Sequence, residues 1–242
     1  MAKQLDLEEQ EQLDQIKHFW NQYGNLISWV LIAVFGSVAA WNGWQYWQRS
    51  QAVQASALYD EVERFSQAND AQRIERAFTD IKEKFASTSY AQQAGLLAAK
   101  TLQANDKADA AKAALSWVAE KSGDKGYAAI ARLRLAGLQM DAKAYDEAAK
   151  LLSTRFPAEF EALVSDRRGD LFLAQGKKNE AKTEFQKAYQ GLDERDEYRR
   201  LVEVKLNSLG VDPKAATAAA PTAAATSPVS TPVAAASESK GK

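Results

Sequence analysis

Hydrophobic and polar positions divide the chain into four stretches of different character. Residues 1–25 open polar and acidic, with Asp6, Glu8, Glu9, Glu11 and Asp14 against Lys3 and Lys17. From Leu13 onward, Leu13, Ile16, Trp20, Tyr23 and Ile27 recur at three- and four-residue steps, the spacing of one helical face. The pattern predicts an amphipathic arm near a membrane surface, the alternative being an unstructured leader, with Gly24-Asn25 turning the chain into the next stretch. That stretch is Leu26–Trp47, LISWVLIAVFGSVAAWNGWQYW, and no Asp, Glu, Lys or Arg falls between Lys17 and Arg49. At about 1.5 Å per helical residue it reaches about 33 Å, enough for a hydrocarbon core of about 30 Å. A helix is the one form in which an isolated segment satisfies all its backbone polar groups in lipid. Trp41, Trp44, Tyr46 and Trp47 gather at its far end, where a membrane–water interface favours amphipathic aromatics, and Trp20, Tyr23 and Trp29 stand near the other boundary. A buried helix of a soluble bundle is the bland alternative. A cleaved signal peptide fits less well, because such peptides begin with a short basic segment and this one begins long and acidic. Positive charge does not orient the span, since Lys17 stands on one side and Arg49 and Arg64 on the other.

From Ser50 to about Asn207 the periodicity is helical throughout, with one proline, Pro157. Helices are predicted at about 50–68, 71–86, 89–104, 107–121, 126–141, 144–155, 158–175, 177–191 and 194–208, broken at turn residues such as Asn69-Asp70, Asn105-Asp106 and Gly176. The helices come in pairs. Ala99 and Ala111, Ala136 and Ala148, and Gly169 and Ala181 each place a small residue in a first helix and an alanine twelve residues later in a second. Successive pairs are offset by 37 and 33 residues, which bracket the tetratricopeptide (TPR) period of 34. Phe172, Phe185 and Ala188 also fall on signature positions of the last pair. Small residues let two helices approach closely, and large ones fill the layer between pairs. The predicted class is all-α: a single N-terminal transmembrane helix and then a TPR-like helical-repeat solenoid. The 50–86 pair lacks the small-residue spacing and reads as a cap or a joint to the membrane. The expected division is an arm at 1–25, a span at 26–47, a TPR-like domain at 48–209 and a disordered Ala/Pro-rich tail at 210–242, where nothing large and apolar is available to bury.

Composition narrows the chemistry. A formal charge of −1 and the absence of a basic stripe give no reason to expect nucleic acid. There are no cysteines, and the one histidine, His18, lies on the short arm, so neither a thiolate nor a Ser-His-Asp centre can form in the main domain. Ser122-Gly123-Asp124-Lys125-Gly126 lacks the phosphate-loop pattern and reads as a turn. Asp166-Arg167-Arg168-Gly169-Asp170 reads as intrahelical pairs on a solvated face. No catalytic, cofactor or metal residues emerge, and a non-enzymatic protein that binds others is expected.

Two stretches carry a resemblance to a known family. Glu11-Gln12-Leu13-Asp14-Gln15-Ile16-Lys17-His18-Phe19-Trp20, then Tyr23-Gly24, the span and Gly43-Trp44-Gln45-Tyr46-Trp47, form the first. Asp166 to Asp170 followed by Gly176, Ala181 and Ala188 form the second. Over residues 5–209 the chain resembles the YfgM-like proteins, ancillary subunits of the SecYEG translocon, while the Pro/Ala tail departs from that family. The resemblance implies a bacterial inner-membrane protein with a cytoplasmic N-terminus and a periplasmic TPR-like domain. It implies association with SecYEG, with a PpiD-like periplasmic chaperone and with emerging secreted-protein clients, and it implies no catalytic residues. A cell-envelope assembly or division scaffold and a stand-alone periplasmic holdase are the alternative functions.

Overall fold

The computed structural model describes residues 7–214; for residues 7–12 and 14–16 it describes the backbone alone. Residues 1–6 of the expected arm and residues 215–242 of the expected tail lie outside the described residues. Among the described residues the secondary structure is helical: α1 Leu7–Gln67, α2 Ala71–Phe85, α3 Ser89–Ala104, α4 Ala108–Lys121, α5 Lys125–Asp141, α6 Tyr145–Leu152, α7 Glu161–Ala174, α8 Lys178–Gly191 and α9 Glu197–Ser208, with a 3-10 turn at Ala158–Phe160. The chain divides into two compact units, Met1–Pro157 and Ala158–Lys242.

The first helix corrects the sequence reading. The arm, the span and the 50–68 helix are one uninterrupted α-helix of 61 residues, about 92 Å long at 1.5 Å per residue. Gly24-Asn25 does not turn the chain. A glycine inside a helix costs only about 1 kcal/mol relative to alanine, which one position cannot use to break a long helix on its own. Gly24 instead leaves room for the Trp20 indole, 3.2 Å from where a Cβ would stand. Two shorter differences have local causes. The α6 helix stops at Leu152 rather than near 155 because the Ser153 and Thr154 hydroxyls donate to the carbonyls of Lys150 and Leu151, competing with the helical pattern. The α9 helix starts at Glu197 rather than 194, capped by Asp196, whose carboxylate accepts the Tyr198 amide at 2.9 Å.

Five turns share one geometry. Asn69, Asp106, Lys143, Gly176 and Gly210 all have positive φ, between 51° and 79°. After each, the next amide reaches back five residues: Asp70 to Phe65, Lys107 to Leu102, Ala144 to Gln139, Lys177 to Phe172 and Val211 to Leu206, at 2.8–3.0 Å. This is the Schellman closure, in which a left-handed residue lets the helix's orphan carbonyls find donors. The turn residues are spaced 37, 37, 33 and 34 apart. Among the described residues the ends of α2, α4, α6 and α8 lack a positive-φ residue, so four of these closures mark the turn inside a helix pair and the fifth ends α9.

Counting from these turns aligns the hairpins. Seven residues before the left-handed position stand Val62, Ala99, Ala136 and Gly169, all buried. In the partner helix, four and eight residues after the N-cap, stand Ile74 and Phe78, Ala111 and Leu115, Ala148 and Leu152, and Ala181 and Phe185, all buried. The 50–86 stretch, expected to be a cap or joint, therefore contains the same kind of hairpin. Val62 and Ile74 occupy positions that alanine or glycine fills elsewhere, which is why a search for small residues passes over it. Of the remaining repeat-packing residues, Ala188 is fully buried, and Phe172 is partly exposed against the core of Phe185, Val202 and Leu206.

The closest approach lies in the second unit. A Cβ on Gly169 would stand 2.5 Å from the Phe185 ring. Gly169→Ala gains up to about 1 kcal/mol of helix propensity, but overpacking a ring that cannot retreat costs about 1–3 kcal/mol. The expected outcome is a lower thermal midpoint for Gly169→Ala in the detergent-solubilised chain, with part of the loss recovered on adding Phe185→Leu. A midpoint at or above that of the parent would show that the contact is not tight.

Candidate interaction surfaces

Two surfaces and one buried network stand out among the described residues. The first is the apolar part of α1. Among the described residues one helix is long and apolar enough to cross a membrane, and its apolar window is almost entirely bare. Trp41, Trp44, Tyr46 and Trp47 are 65%, 56%, 79% and 48% exposed, with the Trp44 and Trp47 rings 5.3 Å apart. The polar side chains on this stretch look after themselves. Ser37 Oγ donates to the Ala33 carbonyl at 2.7 Å, and Asn42 Nδ2 donates to the Val38 carbonyl at 2.9 Å. Such back-bonding removes much of the cost of placing a hydroxyl or amide in an apolar medium.

The second surface lies in the first unit, where α1, α3 and α5 are the leading helices of successive hairpins. Each contributes a half-buried tyrosine. The Tyr59 and Tyr90 rings lie 5.9 Å apart, and Gln93 Nε2 donates to the Tyr127 hydroxyl oxygen at 2.8 Å. Burial raises the Tyr59 pKa, and the nearby carboxylate of Glu63, the Tyr127 phenol and Asp60 push it the same way. At neutral pH the phenol keeps its proton and remains a donor. Aromatic rings with a hydroxyl at the rim suit a surface that meets another chain, since one end is apolar and the other wet. An open groove of about 720 Å³ in the same unit, lined by Gln72, Glu75, Arg76, Thr79, Asp80 and Lys107, is polar and of mixed charge, with Lys107 paired to Glu75 at 3.6 Å.

The third feature lies in the second unit and departs from the sequence reading. Asp166 belongs to a charged run expected on a solvated face, yet it is 1% exposed. Tyr198 Oη donates to Asp166 Oδ2 at 2.7 Å, and Lys205 Nζ donates to both Asp166 oxygens at 2.8 Å and pairs with Asp170 at 2.8 Å. The Arg167–Asp170 pair, at 3.6 Å, is an intrahelical bridge of the expected kind. Burial pushes the Asp170 pKa up, and the Lys205 ammonium opposes that shift. Burial and the bond to Asp166 drive the Tyr198 pKa well above the usual phenol range, so its hydroxyl stays a donor. Tyr198 and Lys205 sit 32 and 39 residues from Asp166, beyond the reach of any local sequence pattern. The network ties α9 to α7 and carries no catalytic arrangement. No group of three metal-ligating side chains occurs among the described residues searched. Removing one partner of a buried pair strands the other, at a cost of about 3 kcal/mol. Asp166→Ala is therefore expected to unfold the second unit at markedly lower urea concentration, and Tyr198→Phe to cost about 1 kcal/mol, one hydrogen bond. Equal midpoints for parent and Asp166→Ala would contradict the network.

Comparison with known proteins agrees with this architecture. The tetratricopeptide repeat-like domain family matches residues 17–211. Proteins of Haemophilus influenzae, Neisseria gonorrhoeae and Escherichia coli, each named an ancillary SecYEG translocon subunit, are 30%, 29% and 27% identical to this chain. The alignments cover 84% of this chain and 98%, 98% and 97% of those relatives. Those names describe a non-enzymatic, adaptor-type group. With an exposed apolar helix leading into repeated helix hairpins, and relatives matched almost end to end, the chain belongs to the YfgM-like family of TPR-like proteins.

Proposed function

We propose that this protein is a membrane-anchored adaptor of the SecYEG translocon that presents its TPR-like hairpins to periplasmic chaperones and emerging secreted proteins. The observation that carries the reading is the bare apolar stretch of α1, continuous with the helix that opens the first hairpin, in a chain whose relatives bear the translocon-subunit name. Residues 26–47 cross the inner membrane once, with residues 1–25 in the cytoplasm and residues 48–209 in the periplasm. Trp41, Trp44, Tyr46 and Trp47 sit at the periplasmic interface, where indole and phenol rings are favoured.

Tethering is itself part of the mechanism. A binding surface held beside the channel works at the effective concentration set by its tether, so a weak site meets passing clients without high intrinsic affinity. The Tyr59, Tyr90 and Tyr127 face is the surface assigned to that contact. It offers rigid aromatic area at low entropic cost, with hydroxyl donors to fix register.

Site-specific photocrosslinking in native membranes tests the reading. Probes replacing Trp41 and Trp44 should capture translocon subunits, and probes replacing Tyr90 and Tyr127 should capture a periplasmic chaperone of the PpiD type or a secreted client. Capture of envelope-assembly enzymes alone would favour a scaffold instead. Capture of clients with no translocon crosslink from the span would favour a stand-alone holdase.

A further inference from the structure

The first unit has two unlike ends, and α1 decides which of them is turned toward the bilayer. At one end the turns inside the pairs come together: the Ser66 and Thr101 hydroxyls lie 2.8 Å apart, and Asn105 Nδ2 donates to Asn69 Oδ1 at 2.8 Å. At the other end lie the turns between pairs, where the Tyr59 and Tyr90 rings meet and Gln93 bonds Tyr127. Because α1 runs unbroken from the apolar stretch through Tyr59 to Ser66, this second end points back along the helix to residues 26–47. Its height follows from the register. Thr101 stands beside Ser66, so Tyr90, eleven residues earlier in α3, is level with about Ala55 on α1. Ala55 is eight residues beyond Trp47, about 12 Å along the axis. Phospholipid headgroups fill about 6 Å of that distance outside the hydrocarbon core. A lysine stem covers much of the remainder with its charge leading.

The side chains at that end are mainly cationic. Arg49 stands just past Trp47, Lys82 and Lys84 lie in the last turn of α2, Lys121 ends α4 and Lys125 opens α5. Lys82 is half-buried over the Phe78 ring at 5.6 Å, and the other four are exposed. Among the described residues none of the five is in an ion pair. Three carboxylates accompany them, Glu83, Glu120 and Asp124, and that of Asp124 accepts the Gly126 and Tyr127 amides. The first two turns at the far end are built differently. They hold Asp70, Asp106 and Asp109 against Arg73 and Lys107, and both cations are paired, to Asp70 and Glu75. We propose that the end of the first unit carrying Lys82, Lys84, Lys121 and Lys125 rests on the headgroups of anionic phospholipids. The inference builds on the reading of residues 26–47 as a membrane span. Charge complementarity and height together select the lipid surface, since rigid α1 holds these cations just above the headgroups. Lysines near an anionic surface contribute in small increments that add together and that salt screens. The contact would hold the starts of α3 and α5, with Tyr90 and Tyr127, beside the membrane where an emerging chain first appears.

The chain contains no cysteine, so one introduced thiol carries one label. Ser87→Cys, in the exposed turn between α2 and α3, is labelled with a fluorophore in the full-length protein. The protein is reconstituted into vesicles of phosphatidylcholine alone, or of phosphatidylcholine and phosphatidylglycerol, each doped with a headgroup-nitroxide lipid. Docking predicts at least about twofold stronger quenching in the anionic vesicles. Salt at about 1 M, where the screening length is about 3 Å, should remove the difference. Replacing Lys82, Lys84, Lys121 and Lys125 with glutamine should remove it too, while Lys107→Gln with Lys143→Gln at the far end should leave it intact. Equal quenching in the two lipids, or a difference that survives the four substitutions, would overturn the proposal. A label at Phe35→Cys, read against a nitroxide deep in the acyl chains, separates the two readings. Quenching there in both lipids with no lipid dependence at 87 overturns the headgroup contact alone. No quenching at 35 overturns the membrane span and the contact with it.

Discussion

One helix has to serve two surroundings, and the rest of the architecture depends on how it does so. The first part of α1 exposes Leu26, Trp29, Ile32, Phe35 and Trp41, while its last turns bury Ala55 and Val62 against α2 and α3. Both demands are met without a break, because every backbone amide in between has its partner inside the helix. A loop at the junction would leave orphan polar groups at both ends and would let the hairpins swing. Continuity fixes the direction in which the first hairpin leaves the apolar stretch; the second packs onto the first, and the third onto the second, within the same unit.

Within each unit, a short-range rule repeats. A left-handed residue closes one helix, a two-residue step starts the next, and buried residues stand seven positions before the turn and four and eight positions after the cap. The rule tolerates exchange of volume across the contact. At 169 and 185 a glycine makes room for a phenylalanine ring, while the same register positions hold buried alanine and leucine at 99 and 115 and buried valine and phenylalanine at 62 and 78.

The division between what the sequence made readable and what it did not follows from the range of each interaction. The apolar span and the paired helices were readable because periodicity is a local property, and three hairpins announced themselves through alanine or glycine at fixed spacing. The first hairpin was hidden by Val62 and Ile74, which fill the same positions with larger side chains. The break at Asp141–Lys143 is legible from the periodicity on either side of it, although a lysine does not announce the φ of 60° that it adopts there. The uninterrupted passage through Gly24-Asn25 is not legible in the sequence, because a glycine–asparagine step is compatible with a turn and with a long helix alike. The burial of Asp166 was invisible because its partners, Tyr198 and Lys205, belong to another helix. The tyrosine face escaped for the same reason, as Tyr59, Tyr90 and Tyr127 come together only through the hairpin register.

The central claim is that α1 is a single rigid element from the apolar stretch into the first hairpin. Spin labels at Gln45 and Gln67, introduced as cysteines and read by pulsed dipolar spectroscopy in lipid nanodiscs, test it most directly. Twenty-two residues of unbroken helix separate the two backbone positions by about 33 Å, so the account predicts one narrow distance distribution near that value. A broad distribution, or one centred well short of it, would mean that the helix bends or breaks where it leaves the membrane, and would contradict the account.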